Sequence, residues 1–263
     1  MLRAPDASVK TAPRVKMEDR IAEAMDRAVH IDKNATAIRD MFARVAPRYD
    51  LLNGVLSVSL DRLWRRQVAK AVTREAPPGA VLDLCCGTGD QALSISRRRA
   101  PVVAADFCLP MLHRARGKFA ASPGAPMAVA ADALVLPFAP GSFAAVTVAF
   151  GVRNVANLDS ALTQMLATLR PEGVIVILEF ALPRPALLRQ AYLFYFRYLM
   201  PAIARLLGGR GAAYRYLRDS VLEFQQRDAL TESLRQAGFV RATWQDLSAG
   251  TVCMYMAKKP TAA

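Results

Sequence analysis

The stretch Asp83-Leu84-Cys85-Cys86-Gly87-Thr88-Gly89-Asp90 closes a short apolar run that begins at Ala80. Two glycines one residue apart let the backbone turn tightly and approach a ligand with no Cβ in the way. The residues that follow open a helix, whose N-terminal N–H groups then face that ligand. Asp106 ends the next apolar run, nineteen positions after Gly87. A carboxylate there can accept hydrogen bonds from both hydroxyls of a ribose. Gly87-Thr88-Gly89-Asp90-Gln91-Ala92 also satisfies the G-x-G-x-x-A form of the dinucleotide fingerprint, so the spacing alone fits a nicotinamide dinucleotide as well as another adenosyl cofactor. A tight strand-to-helix turn without any ligand is the third reading.

Outward from this unit, apolar runs alternate with helix-length stretches. The runs are Ala80 to Leu84, Val102 to Ala105, Met127 to Ala130, Ala144 to Ala149 and Val174 to Phe180. Such alternation predicts βαβ units and a buried parallel sheet. Two more runs, Val240 to Asp246 and Thr251 to Lys258, stand too close together for a parallel crossover and predict an antiparallel hairpin. Upstream, Ile38, Met41, Phe42 and Val45 give one apolar face to a helix over Thr36 to Ala46, ended by Pro47. Another helix starts near Asp61, read as its N-cap, and ends before Pro77-Pro78-Gly79. Residues 1–33 read as a partly disordered tail, with a short amphipathic stretch between Lys16 and His30; residues 34–260 form one domain.

Composition narrows the function. With 53% of its 263 residues hydrophobic, the chain can bury a core. A net charge of +13 asks for an anionic partner: nucleic acid, membrane surface or ligand. Neither His30 nor His113 stands at metal-ligand spacing from the four cysteines, so no metal site is expected. Adjacent Cys85 and Cys86 cannot pair in an ordinary disulfide, and no signal peptide or 18-residue apolar span is visible. A cytoplasmic protein is expected, peripheral on the inner face of the membrane if it meets lipid.

Three features favour S-adenosylmethionine over a dinucleotide. Asp132 ends the third run, where a carboxylate can meet an adenine amino group. Leu169-Arg170-Pro171-Glu172-Gly173 resembles the methyltransferase turn usually written LKPGG, and the terminal hairpin completes the plan of class I methyltransferases. The fold expected is therefore α/β: a Rossmann-like seven-stranded sheet with its last strand antiparallel, N-terminal helices and an inserted helical lid.

More specific matches follow. Phe42-Ala-Arg-Val-Ala-Pro-Arg-Tyr49-Asp50-Leu-Leu-Asn53, continued by Ser57 and Asp61-Arg62-Leu63-Trp64, is similar to the opening signature of the UbiE/MenG quinone-biosynthesis C-methyltransferases. Phe150-Gly151-Val152-Arg153-Asn154-Val155 resembles that family's F-G-[LIV]-R-N-[VF] motif. Leu178-Glu179-Phe180, Tyr214-Arg-Tyr216-Leu217 with Ser220, and Leu247-Ser248-Ala249-Gly250 fit three further segments, so the resemblance runs from Asp40 to Lys258. It departs at Ala149, where the family often has serine, and at Asp61, where it often has histidine.

The resemblance implies methylation of a ring carbon of a prenylated quinol in menaquinone or ubiquinone biosynthesis. It implies cofactor contacts from Thr88, Asp106, Asp132 and the backbone of Ala133, to which the glycine-turn reading adds Asp83, Gly87 and Gly89. A phenol titrates near pH ~10, so the enzyme must favour its anion. Arg153 is the candidate to stabilise that anion, Asn154 to orient the quinol oxygen or the methionine end of the cofactor, and Tyr49 to hydrogen-bond the acceptor. Rival readings make Arg153 a carboxylate's partner, Asn154 a helix cap and Tyr49 packing. Asp50 and Asn53 are read as shaping a loop over the cofactor.

Residues 180–218 carry seven arginines and no carboxylate, interleaved with aromatics. Overlapping them, the segment 183–220 is read as the acceptor-binding insert, resting on an anionic membrane surface. An NAD-dependent oxidoreductase, a nucleic-acid methyltransferase and a non-catalytic subunit are the rivals. No Asn/Asp-Pro-Pro-Tyr/Phe motif follows the fourth run, which speaks against nucleic acid. Among protein partners, only a second copy of the chain is entertained.

Overall fold

The computed structural model describes residues 34–99, 101–122, 124–206 and 211–261. The expected tail and its amphipathic stretch lie outside the described residues. Seven strands form one sheet: β1 (Val81–Leu84), β2 (Val102–Asp106), β3 (Met127–Ala130), β4 (Phe143–Ala149), β5 (Leu169–Phe180), β6 (Val240–Leu247) and β7 (Val252–Lys258). Their order is β3-β2-β1-β4-β5-β7-β6, with β7 antiparallel to both neighbours and the remaining pairs parallel.

The side-chain alternation of the strands builds two cores. Leu82, Leu84, Val146 and Val148 pack with α6 (Leu158–Thr168) and α10 (Asp228–Gln236). Val81, Ala145 and Val176 pack with α3 (Leu60–Glu75), α4 (Asp90–Ser96) and α5 (Leu109–Phe119). The chain leaves β1 and β4, which are neighbours, towards opposite neighbours in the sheet. Their C-terminal ends therefore flank the crevice where such sheets hold ligands.

Boundaries moved at four places, each for a local reason. The first helix, α1 (Ala35–Val45), starts one residue early because the Asn34 side chain accepts from Thr36 N and Ala37 N. Pro47 does not stop the chain. It sits in a 3-10 turn (Ala46–Arg48) that leads directly into an unforeseen helix, α2 (Tyr49–Leu56); a first-turn proline loses no helical hydrogen bond. Asp50 and Asn53 consequently sit on a helix and not in a loop. Asp61 is inside α3, not its cap: Ser59 precedes the helix in left-handed conformation, and Asp61 accepts from Ser57 Oγ at 3.0 Å. Finally, the Leu169–Gly173 turn is the irregular start of β5, since Leu169 pairs with Phe143 and Val174 with Ala145. Glu172 takes the left-handed conformation there (φ 60°).

Between β5 and α10 the expected insert is helical: α7 (Ala186–Phe194), a π-turn (Tyr195–Leu199), α8 (Met200–Leu206) and α9 (Gly211–Glu223). It packs on α2 through a small core of Leu52, Phe196, Met200, Tyr214 and Val221, and Tyr195 Oη donates to Leu56 O at 2.8 Å. No described helix is long and apolar enough to cross a membrane.

Candidate active site

Two cavities meet at the C-terminal ends of β1 and β4. The first is floored by the glycine turn and lined by Gly87, Thr88, Asp106, Asp132, Ala133 and Asn154, among others. The second, of about 320 Å³, is mostly apolar and is lined by α2, the start of α3, Phe150, Arg153, Phe180 and the insert. Phe42, Tyr49, Arg65 and Phe150 line both, so they form a common wall.

The turns at the crevice are strained. Cys85 and Phe150, one at the end of each strand, have φ of 53° and 59°, a region non-glycine residues seldom occupy. Such strain gathers at functional sites. Gly151 answers Cys85 across the crevice: a Cβ on Gly151 would collide with the Cys85 side chain.

The two glycines of the turn have different jobs. Gly87 (φ 55°) faces the first cavity, where a Cβ would meet only Tyr49 Cε1 at 3.9 Å. Gly89 (φ 85°) does not line the cavity; a Cβ there would fall 2.5 Å from the Phe119 ring, so its absence lets α4 sit against α5. Asp83 does not line the cavity either. It lies fully buried beside β4, accepting from Thr147 Oγ1 at 2.7 Å, and burial pushes its carboxyl up to about 7.

Asp106 does line the cavity. Its two oxygens accept from Gly87 N and Cys108 N, both at 2.8 Å, which fixes the carboxylate against the glycine turn. Burial raises its pKa. Asp132 is exposed, with Oδ1 accepting from Leu134 N at 2.9 Å. Thr88 Oγ1 donates to Asp50 Oδ1 at 2.5 Å and accepts from Lys118 Nζ at 3.1 Å. Lys118 also meets Asp50 at 2.8 Å and Asp90 at 2.6 Å, so one ammonium clasps α2, the glycine turn and α4 to α5. The thiols of Cys85 and Cys86 are pushed well up by burial, as is that of Cys108 to a smaller extent, which keeps them protonated.

At the second cavity, Arg153 Nη1 donates to Glu179 Oε1 and to the Phe150 carbonyl, while its Nε has no partner among the described residues. The guanidinium lies 5.3 Å from the Phe180 ring centroid. Asn154 is not a helix cap; that place is taken by Asn157, which accepts from Ser160 N. Instead Asn154 Oδ1 accepts from Tyr216 Oη at 3.0 Å, and Tyr216 lines the second cavity.

Sequence reasoning gave no role to Tyr216, Glu179, Lys118 or Arg65. The signal was present for the first two: residues singled out as motif members touch across the fold. Tyr216 meets Asn154, Glu179 meets Arg153, Asp50 meets Thr88, and Trp64 Nε1 donates to Ser248 Oγ at 2.8 Å. Among the described residues no group of His, Cys, Asp or Glu could hold a metal ion.

A family model described as the ubiE/COQ5 methyltransferase family matches residues 30–259. The chain belongs to that family. The ubiquinone/menaquinone biosynthesis C-methyltransferase UbiE of Geobacter sulfurreducens is 41% identical over 227 residues, covering 84% of this chain and 88% of the relative. The demethylmenaquinone methyltransferase of Thermus thermophilus is 41% identical over 222 residues, covering 84% and 100%. Solved structures share the fold at lower identity. A SAM-dependent methyltransferase from Thermotoga maritima, a possible histamine N-methyltransferase, aligns with a TM-score of 0.58 at 17% identity over 84% of this chain and 98% of that one. Haemonchus contortus phosphoethanolamine N-methyltransferase 2, in complex with S-adenosyl-L-methionine, gives 0.56 at 14% over 74% and 52%.

Membership in the ubiE/COQ5 family and the class I sheet identify the cofactor as S-adenosylmethionine. The first cavity fits it. Gly87 leaves space where a Cβ would stand, and Asp106 and Asp132 supply acceptors for hydroxyl and amino donors.

Proposed function

We propose that this enzyme methylates a ring carbon of a prenylated quinol, converting demethylmenaquinol to menaquinol, with the corresponding benzoquinol as a second acceptor. The observation that carries the reading is the apolar cavity of about 320 Å³ sharing a wall with the cofactor cavity. A flat ring with an isoprenoid tail needs such an apolar site with a few placed polar groups. A polar acceptor would leave those walls unmatched.

Thr88, Asp106, Asp132, Ala133 and the Gly87 backbone would hold the cofactor. When bound, S-adenosylmethionine supplies an electrophilic methyl group on a sulfonium centre. Everything else is supplied by the chain. Phe42, Tyr49 and Phe150 keep water from the junction of the two cavities. The Arg153 guanidinium stabilises the ring oxygen as its proton leaves. Glu179 fixes the direction of that guanidinium. Tyr49 presents its hydroxyl to the acceptor, and Asn154, held by Tyr216, orients the polar end of whichever ligand reaches it. Holding the ring carbon and methyl donor at one wall supplies much of the acceleration.

The membrane is the second half of the proposal. Both elements lining the acceptor cavity expose large apolar side chains: Leu51 and Val55 on α2 with Val58 in the turn after it, and Leu187, Phe194 and Tyr198 on the insert. Arg184, Arg189 and Arg197 stand exposed among the latter. Apolar side chains beside arginines suit a surface pressed into anionic headgroups.

Labelled S-adenosylmethionine, presented with reduced demethylmenaquinone or the polyprenyl-benzoquinol in detergent micelles, tests the reaction. We expect one methyl on ring carbon, detected by mass. Transfer to neither acceptor, with cofactor binding intact, overturns the acceptor assignment.

A further inference from the structure

Arg65, in α3, lines both cavities and is only 9% exposed. Its guanidinium makes no hydrogen bond to any described residue, and its Nε is buried without a partner. Asp61, one turn earlier, lies 3.7 Å from that Nε, beyond hydrogen-bond length. Phe150 lies under the guanidinium at 5.7 Å. Two neighbours behind it share the deficit: Asp83 Oδ2 and Gln91 Oε1 also lack partners, although Gln91 Nε2 reaches the Arg65 carbonyl at 3.4 Å. The ion pair with Asp61 and the Asp83 carboxyl behind it offset the charge of Arg65, but neither hydrogen-bonds the guanidinium, which leaves its donors unmatched at the cavity. The surroundings therefore suit an anionic group arriving with a ligand.

The cavity linings say which anion. Among the described residues, Arg65 is the one cationic side chain lining the cofactor cavity. The cavity's carboxylates, Asp90, Asp106 and Asp132, repel an anion and suit donors instead. Lys118, which lies near the glycine turn, is already neutralised by Asp50 and Asp90. S-adenosylmethionine carries one anionic group, the carboxylate at its methionine end. On the acceptor side a quinol oxygen would meet Arg153, which is ion-paired with Glu179 and keeps its Nε without a partner among the described residues.

We infer that Arg65 binds the α-carboxylate of S-adenosylmethionine, fixing the methionine end of the cofactor at the wall shared with the acceptor. The inference rests on the S-adenosylmethionine reading of the first cavity and is independent of which quinol is methylated. Its consequence is positional: the residue that holds the carboxylate also lines the acceptor cavity, so cofactor seating and the shape of the acceptor cavity are joined through one side chain.

Equilibrium calorimetry with S-adenosylmethionine and decarboxylated S-adenosylmethionine, on the full chain, tests this without any turnover. The wild type should bind the decarboxylated ligand about 30-fold more weakly, the loss expected for a charge-assisted hydrogen-bonded pair. Arg65→Met should bind both ligands about as weakly as the wild type binds the decarboxylated one. Arg65→Gln serves the same purpose should the Met variant not fold. Equal affinity of the wild type for the two ligands overturns the inference. So does a variant that loses the same factor for both, since that marks a general structural role. Failure of the wild type to bind either ligand overturns the cofactor reading itself, and the inference with it.

Discussion

Asp83 shows what a single residue of the glycine-turn motif does once folded. Read as a cofactor contact, it is buried beside Thr147, its register partner on β4, and does not line the cavity. Burial pushes its carboxyl up to about 7, against about 4 in an unfolded chain. Between those values the folded protein holds a proton that the unfolded chain has lost. Stability therefore falls as pH rises through that window, by at most about 1.4 kcal/mol per pH unit from this group. Asp83→Asn keeps the acceptor for Thr147 and removes the charge. Relative to the wild type, the variant should gain roughly 3 kcal/mol between pH 5 and pH 8 in urea melts. A wild-type pH slope that the substitution leaves unchanged would refute this account. Asp106, also raised by burial, adds a slope of the same sign to both proteins, and because its charge acts on Asp83 the two carboxyls titrate as a coupled pair.

At the scale of elements, most of the fold was legible and the N-terminal cover was not. Apolar runs announced β1, β2 and β4 because a strand buried on both faces has no polar alternation to blur it. The antiparallel hairpin followed from spacing, while the strand order β3-β2-β1-β4-β5-β7-β6 is seen only in the structure. The helix Tyr49–Leu56 escaped because Pro47 reads as a stop and Gly54 weakens helical propensity. It is held by tertiary contacts, the Leu52 core and the Lys118 clasp, which no local pattern displays. Tyr216 and Glu179 were visible as motif members, yet their partners lie 62 and 26 positions away, so their roles needed the fold. Lys118→Met tests the clasp. Its pairs are partly exposed, so the stability loss should be only about 1 kcal/mol. S-adenosylhomocysteine affinity should drop more noticeably, by roughly fivefold, because α2 is no longer tied to the glycine turn. Unchanged affinity in a folded variant would show that the clasp does not shape the cofactor cavity.

At the scale of the whole molecule, the +13 charge is not spread without pattern. Arg184, Arg189 and Arg197 are exposed on the insert that lines the second cavity, as are Leu187, Phe194 and Tyr198; Arg184 also lies over Trp244 and 4.0 Å from Asp246. Flotation with phosphatidylglycerol vesicles should carry the protein upward, and phosphatidylcholine vesicles should leave most of it behind. Replacing those three arginines by glutamine should cost binding by roughly 1 kcal/mol each. Binding indifferent to both changes would sink the membrane reading. The charge would then have to serve a soluble anion.

The wall formed by Phe42, Tyr49, Arg65 and Phe150 belongs to both cavities at once. A partition with two tenants cannot be remodelled for one without disturbing the other. Four side chains that shape the second cavity also shape the first. On the proposed placement of the acceptor, a change of preference that spares the first cavity would fall on the far side, towards the insert and the exposed rim, where the tail would be met. Tolerance to isoprenoid length should drift readily among descendants of this sequence, while tolerance to ring chemistry stays narrow.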